Sequence, residues 1–174
     1  MAVSQRITLE IKTTETGSGD LGTPRKVHTF NHEGASGANF RVFATGTTDA
    51  SYQQDLVHSD NISVTDSGTS LDLAGGLTDL GGTAITMVEV TAITVKNNST
   101  TTGEVLTIGA GSNPLLNWII ATGDGVKIGP GGVFHISSPY DGYAITAGTG
   151  DILFLDASTG DTISVDYIIH GRSA

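Results

Sequence analysis

Short β-rich segments recur along most of the chain and are separated by turns rich in Gly, Asp, Ser and Thr. From Asn61 onward, runs such as "EVLTIG", "DILFLD" and "TISVDYIIHG" follow one another at short intervals. Strands of four to eight residues with turns roughly every 8–12 positions are typical of β-sandwiches and barrels. The sequence therefore predicts an all-β protein of about nine or ten short strands, best described as a jelly-roll-like β-sandwich with an N-terminal extension.

Local patterns indicate where individual strands lie. The run "AITMVEVTAITVKN" is apolar on both faces, which predicts a central strand. In the closing run, alternation predicts that Ile163, Val165, Tyr167 and Ile169 face inward and that Ser164, Asp166 and His170 face outward. The stretch "ASYQQDLVH" has short helical character, and Trp118 in "LLNWIIA" is predicted to be a core residue rather than a binding platform.

The N-terminal quarter differs from the rest in charge. Residues 1–45 contain the alternating strand "RITLEIK", a long polar stretch, and five basic against four acidic residues. The remainder has three basic and fourteen acidic residues within a formal net charge of −10. We therefore expect two parts: an N-terminal strand and polar arm (1–45) that contacts neighbouring subunits, and a β-sandwich domain (46–174).

Composition excludes several classes of function. The chain has no cysteine, so neither disulfides nor cysteine metal sites form. An acidic body repels nucleic acid, so we expect no DNA or RNA partner. The sequence has neither the apolar core of a signal peptide nor an apolar run of about 18 residues, which predicts a soluble protein synthesised in the cytoplasm and without a membrane partner.

The glycine-rich stretches do not predict phosphate binding. In "GYAITAGTGDILFLD", Asp151 follows the glycines where a phosphate loop needs a lysine, and a strand follows where it needs a helix. Gly148 and Gly150 are better explained as turn residues with positive φ. In "GPGG", Pro130 and the glycines after it predict a tight turn.

No pattern predicts a catalytic, cofactor or metal site. His28 and His32 flank a predicted turn without a third ligand, and the remaining histidines lie singly at predicted strand ends: His58, His135 and His170. Asp156 and Asp161 bracket "ASTG" and suit a weak calcium cage less well than a solvated turn. The chain also lacks the nucleophile elbow of hydrolases, so it is best interpreted as a non-enzymatic structural or binding module.

Four segments together resemble a known family. They are "DLAGGLTD" (72–79), "IGPGGV" (128–133), "ITAGTGD" (145–151) and "DYIIHG" (166–171). In this order they resemble small structural proteins of tailed bacteriophages and prophages, over residues 55–171. The resemblance implies a virion protein on the capsid surface, a capsid decoration or cement protein. It also implies the major capsid protein as partner, a homotrimer and no catalytic residues.

Two functions follow as hypotheses. A decoration protein would use the basic residues of the N-terminal part to contact coat carboxylates: Arg6, Lys12, Arg25, Lys26 and Arg41. The alternative is a tail or baseplate adhesion module that binds host-surface carbohydrate, with Tyr140, Asp141 and Tyr143 as its candidates. A glycan-degrading enzyme is a third and weaker interpretation.

Overall fold

The structure is a computed structural model, and its described residues are all β strands, turns and irregular segments. It describes residues 46–48, 53–79, 82–109, 111–115, 118 and 124–174 in full, and the backbone alone for residues 5–7, 10–16, 25–31 and 41–45. These residues contain no helix that is long and apolar enough to cross a bilayer. The prediction of an all-β protein is confirmed.

The described residues form sixteen strand segments, more than the number predicted, because several are only two or three residues long. The N-terminal strands are β1 (Gln5–Ile7), β2 (Glu10–Thr16), β3 (Arg25–Asn31) and β4 (Arg41–Thr45). The next six are β5 (Gln53–Gln54), β6 (Leu56–Thr65), β7 (Thr69–Asp72), β8 (Leu77–Thr78), β9 (Ala84–Ile85) and β10 (Glu89–Asn97). The last six are β11 (Leu106–Gly109), β12 (Gly125–Ile128), β13 (Val133–Ser137), β14 (Tyr143–Ala144), β15 (Ile152–Ala157) and β16 (Thr162–Arg172).

The chain forms two compact units, Ser4–Ala44 and Thr45–Ala174. In the smaller unit β1 pairs with β4, and β2 pairs with β3 along seven residue pairs, both antiparallel. The larger unit contains two main antiparallel sheets. One has the order β13-β10-β16-β6, with β14 also on β10, and the other has the order β12-β11-β15-β7. A short ribbon of β8 and β9 completes this unit.

The two main sheets bury a common core. Residues on the inward faces of both sheets belong to one cluster, including Ile93, Val165 and Ile169 of one sheet and Ile108 and Leu155 of the other, all fully buried. Central placement of the run around β10 is confirmed, because β10 has neighbours on both sides. Trp118 is buried and makes a T-shaped contact with Phe134, with ring centroids 6.0 Å apart, so its prediction as a core residue is also confirmed.

Turns between the sheets use the predicted glycines. The "GPGG" turn joins β12 of one sheet to β13 of the other, with Gly131 at φ 70° and the Gly132 N–H donating to the Gly129 carbonyl at 3.0 Å. Pro at the second position and positive φ at the third are the pattern of a type II turn. The turn at 146–150 also connects the two sheets, and the Asp151 carboxylate accepts a hydrogen bond from the Gly148 N–H.

Three details of the sequence interpretation were wrong. The described part of the stretch "ASYQQDLVH", residues 53–58, contributes to strands β5 and β6 instead of a helical turn, because β6 pairs with β16 over ten residues and this pairing overrides local propensity. Gly148 has φ 78°, but Gly150 is not among the residues with positive φ. His170 was predicted to face outward into solvent, but it is buried and its ring is hydrogen-bonded to the buried side chain of Gln54.

Candidate functional site

The predicted coat-contact residues lie on the N-terminal strands. The structure gives the backbone positions of Arg6 in β1, Lys12 in β2, Arg25 and Lys26 in β3, and Arg41 in β4. Their side chains lie outside the described part of the chain. Antiparallel pairing sets Lys12 opposite Thr29 and Lys26 opposite Glu15.

The predicted adhesion residues lie on and beside a turn at 138–142. The Gly142 N–H donates to the Ser138 carbonyl at 2.9 Å, and Gly142 has φ 69°. Tyr140 is 48% exposed at the tip and Asp141 is also exposed. Tyr143 lies instead in β14 and packs against the core, and this burial raises the pKa of its phenol. The structure therefore brings Tyr140 and Asp141 to the surface but not Tyr143.

The buried side chain of Arg172 holds this turn in place through hydrogen bonds to its backbone. The sequence did not indicate this role of Arg172. Its guanidinium is 1% exposed and forms an ion pair with Glu89. It donates from Nη2 to the carbonyls of Pro139 and Tyr140, and from Nε to the carbonyl of Gln53 at 2.7 Å. One buried cation thus joins three segments and holds Tyr140 in a defined position. The only sequence signal was a lone arginine at the end of an apolar strand.

A second buried polar network joins the side chains of Gln54, Thr91 and His170. The Gln54 amide nitrogen donates to His170 Nδ1 at 3.2 Å, and the Thr91 hydroxyl donates to Gln54 Oε1 at 3.1 Å. An amide nitrogen only donates, so Nδ1 accepts and the neutral ring carries its proton on Nε2. Burial, and secondly the charge of His135, lower the pKa of His170 to about 4. His170 is therefore neutral at neutral pH and acts as a structural acceptor.

Among the described residues, one cavity opens between the edge strands of the two main sheets. It has a volume of about 470 Å³ and is lined by β6, β7, β8 and β16, with His58, Asp60, Asp72, Leu77, Thr78 and Tyr167 among its walls. A second cavity of about 270 Å³ shares His58, Asp60 and Thr78 and adds Val57, Ser59 and Asp79. We refer to the two together as the edge groove.

A hydrogen-bonded chain forms the floor of the edge groove. His58 Nδ1 lies 2.7 Å from the Thr78 carbonyl, which only accepts, so Nδ1 carries the proton. With the proton on Nδ1, Nε2 is placed to accept from the Tyr167 hydroxyl, at 2.9 Å. Burial, and secondly the charge of Asp60, raise the pKa of Tyr167 to about 12. Tyr167 thus remains a protonated donor, which suits a rigid wall and not a nucleophile.

The carboxylates of Asp60, Asp72 and Asp79 line the edge groove. Asp60 Oδ1 accepts from the N–H of Asn61 and Asp72 Oδ1 from the N–H of Ala74, both at 2.8 Å. Asp79 Oδ1 accepts from the N–H of Thr83 at 2.9 Å. Among the described residues that line the two cavities there is no lysine or arginine. The edge groove therefore presents negative charge to a ligand.

Metal ligation finds no support in the described part of the chain, where no three His, Asp or Glu side chains converge. The described histidines are not isolated at strand ends as predicted, because His58, His135 and His170 all lie within strands and bond to neighbouring residues. Asp161 accepts a hydrogen bond from Ser158 in its own turn. His28 and His32 lie outside the residues with described side chains.

The chain matches no known protein family, and no curated protein is significantly similar to it.

Proposed function

We propose that the chain is a non-enzymatic phage virion protein, a capsid decoration or cement protein that binds the assembled coat lattice and stabilises it. The resemblance of residues 55–171 to phage structural proteins supports this proposal, and so does the distribution of charge between the two units. In this proposal the major capsid protein is the partner, the capsid surface is the location, and the decoration protein acts as a homotrimer.

The strand pairing also supports the proposal. We infer from it that the larger unit is a jelly roll. Its eight longest strands pair in nested order, first with last: β6 with β16, β7 with β15, β10 with β13, and β11 with β12. Such nesting results when one long antiparallel hairpin is rolled into two four-stranded sheets. Jelly rolls of this kind are common in viral capsid and lectin domains.

The observation that carries the proposal is the separation of charge between the units. The unit Thr45–Ala174 holds three basic and fourteen acidic residues, a net charge of −11, whereas Ser4–Ala44 holds five basic and four acidic residues, a net charge of +1. One of the three cations in the larger unit, Arg172, is buried in an ion pair. A body of this charge favours solubility. The smaller unit carries most of the cations of the chain, which can pair with carboxylates on a partner.

The mechanism needs no turnover. Each contact between the N-terminal unit and a coat subunit is weak, but an oligomer engages several lattice positions at once, so the effective affinity rises steeply. Residues Arg6, Lys12, Arg25, Lys26 and Arg41 are the proposed contacts. By bridging adjacent coat subunits, the bound protein opposes the outward pressure of the packaged DNA.

Co-sedimentation with empty, expanded capsids of the encoding phage tests the proposal. Replacing the five N-terminal basic residues by glutamine should abolish binding while leaving the sandwich folded. The matched control is Lys96→Gln with Lys127→Gln, which removes the two cations of the larger unit that lie outside the Arg172 ion pair and should leave binding unchanged. Saturating binding by the N-terminal variant would refute the assigned contact surface, and no binding by the native chain would refute decoration itself.

A tail adhesion module is the second candidate, and the turn at 138–142 favours it. Tyr140 is half exposed on a turn that Arg172 holds in place, which is a preorganised aromatic surface suited to stacking against a sugar ring. A glycan array tests this candidate with the native chain and Tyr140→Ala. Binding of a glycan that Tyr140→Ala loses would support adhesion, and an array without signal would count against it.

A further inference from the structure

Strand β6 is an end strand of its sheet and offers a long edge. It pairs with β16 along ten residues, and no described strand pairs with its other side. An edge strand presents unpaired backbone N–H and carbonyl groups, which form a template for an added strand. Ten residues correspond to about 33 Å of edge, which is enough for a peptide segment.

The edge groove lies directly beside this edge. Residues 57–60 of β6 line the smaller cavity together with Thr78 and Asp79. Side chains on a strand alternate between two faces, so every second residue of a strand added to β6 would point toward the larger cavity. That cavity, of about 470 Å³, has room for long side chains.

The walls of the larger cavity suit the side chains of lysine and arginine. Ile62, Leu71 and Leu77 give apolar contact for the methylene stem, and Asp60 and Asp72 give acceptors for the charged end. In the described part of the chain each of these two carboxylates makes one hydrogen bond through Oδ1, and none is made through Oδ2. A charge-assisted hydrogen bond to a carboxylate is roughly twice as strong as a neutral one.

We propose that the edge groove binds an extended, lysine- or arginine-bearing segment of another protein, which adds to β6 as a strand and places alternate basic side chains beside Asp60 and Asp72. We assign the segment to another protein, because the groove belongs to the larger unit, whose net charge of −11 attracts a basic segment and repels the equally acidic larger unit of a second copy. On a capsid the segment would belong to the coat protein. That assignment rests on the proposed function, whereas the peptide binding does not.

Fluorescence anisotropy of the full chain with a synthetic peptide tests the inference. The probe is a short fluorescein-labelled peptide of alternating threonine and lysine, and a threonine–glutamate peptide is the charge control. A third peptide carries the lysine sequence with alternate backbone nitrogens methylated, which keeps the charge but prevents strand pairing. We expect saturable binding of the first peptide alone, weakened by salt.

Two double variants locate the site. Asp60→Asn with Asp72→Asn should weaken binding at least about tenfold, which is about 1.4 kcal/mol. Asp141→Asn with Asp156→Asn removes the same charge elsewhere on the larger unit and should leave affinity unchanged. Circular dichroism and thermal melting check that both variants are folded.

Several outcomes would overturn the inference. Equal loss of affinity in both double variants would show that the attraction is general to the acidic unit. Equal binding of the methylated peptide would show that no strand is added. Absence of binding by the first peptide would also refute it. Self-association of the native chain in sedimentation, abolished by Asp60→Asn with Asp72→Asn, would assign the groove to a second copy instead. Because no capsid is used, these failures are distinct from failure of the decoration proposal.

Discussion

Acid should destabilise the larger unit through His170. The ring is buried and neutral, with its Nδ1 accepting from Gln54, and its pKa lies near 4 against 6.5 for an unperturbed histidine. The unfolded chain therefore takes up a proton at a higher pH than the folded chain does. The stability that depends on the neutral ring is complete above pH 6.5 and is lost as the pH falls toward 4.

The size of this loss follows from the pKa difference. A change of one pKa unit corresponds to about 1.36 kcal/mol, so a shift from 6.5 to about 4 corresponds to about 3 kcal/mol once the folded state is also protonated. At pH 5, where the unfolded ring is charged and the folded ring is mostly neutral, the loss is about 2 kcal/mol. This is a large fraction of the roughly 5–15 kcal/mol that stabilises a typical domain.

Urea unfolding at about pH 7.5 and about pH 5 measures the effect. The variant His170→Gln removes the titrating group and keeps an acceptor for Gln54. Between the two pH values its free energy of unfolding should therefore decrease less than that of the native chain, by a difference of about 2 kcal/mol. The control His135→Gln removes an exposed histidine from β13, which is separated from β16 by β10, and should retain most of the native loss. An identical pH dependence in the native chain and His170→Gln would refute the reasoning.

Three further predictions concern stability and are measured by chemical denaturation at neutral pH. Arg172→Met should lower the free energy of unfolding by about 3–5 kcal/mol, because it leaves Glu89 without its ion pair; a loss below about 1 kcal/mol would contradict the anchoring role. Gly171→Ala should cost about 1–3 kcal/mol, since its Cβ would lie 2.5 Å from the Glu89 carbonyl oxygen, whereas Gly129→Ala, with nothing within 4 Å, should change stability by less than about 0.5 kcal/mol. Equal effects of the two alanines would contradict the close approach. Leu155→Ala, at a fully buried position between the sheets, should cost about 2–5 kcal/mol, and a smaller loss would place it outside the common core.

Local pattern was sufficient for much of the fold. The alternation in β16 correctly predicted that Ile163, Val165, Tyr167 and Ile169 face the core, because a half-buried strand must alternate. The "GPGG" turn was also predictable, because proline fixes φ at one position and Gly131 permits positive φ at the next. Both features depend on residues that are close together in the sequence.

Long-range contacts explain what the sequence did not reveal. The burial of His170 depends on Gln54, 116 positions earlier, and the floor of the edge groove joins His58 to Tyr167 across 109 positions. Pairing of β6 with β16 likewise converted a stretch of weak helical character into strand. No periodicity within either segment specifies such a partner, so neither the edge groove nor the anchor at Arg172 was predictable.

The most direct test of the decoration proposal is immunogold electron microscopy on virions of the encoding phage, with antibody raised against this chain. We predict label distributed over the head, as expected for a protein that binds the coat lattice. Label confined to the tail or its tip would contradict the proposal and favour adhesion through the turn that carries Tyr140, and intact virions without label would contradict both functions.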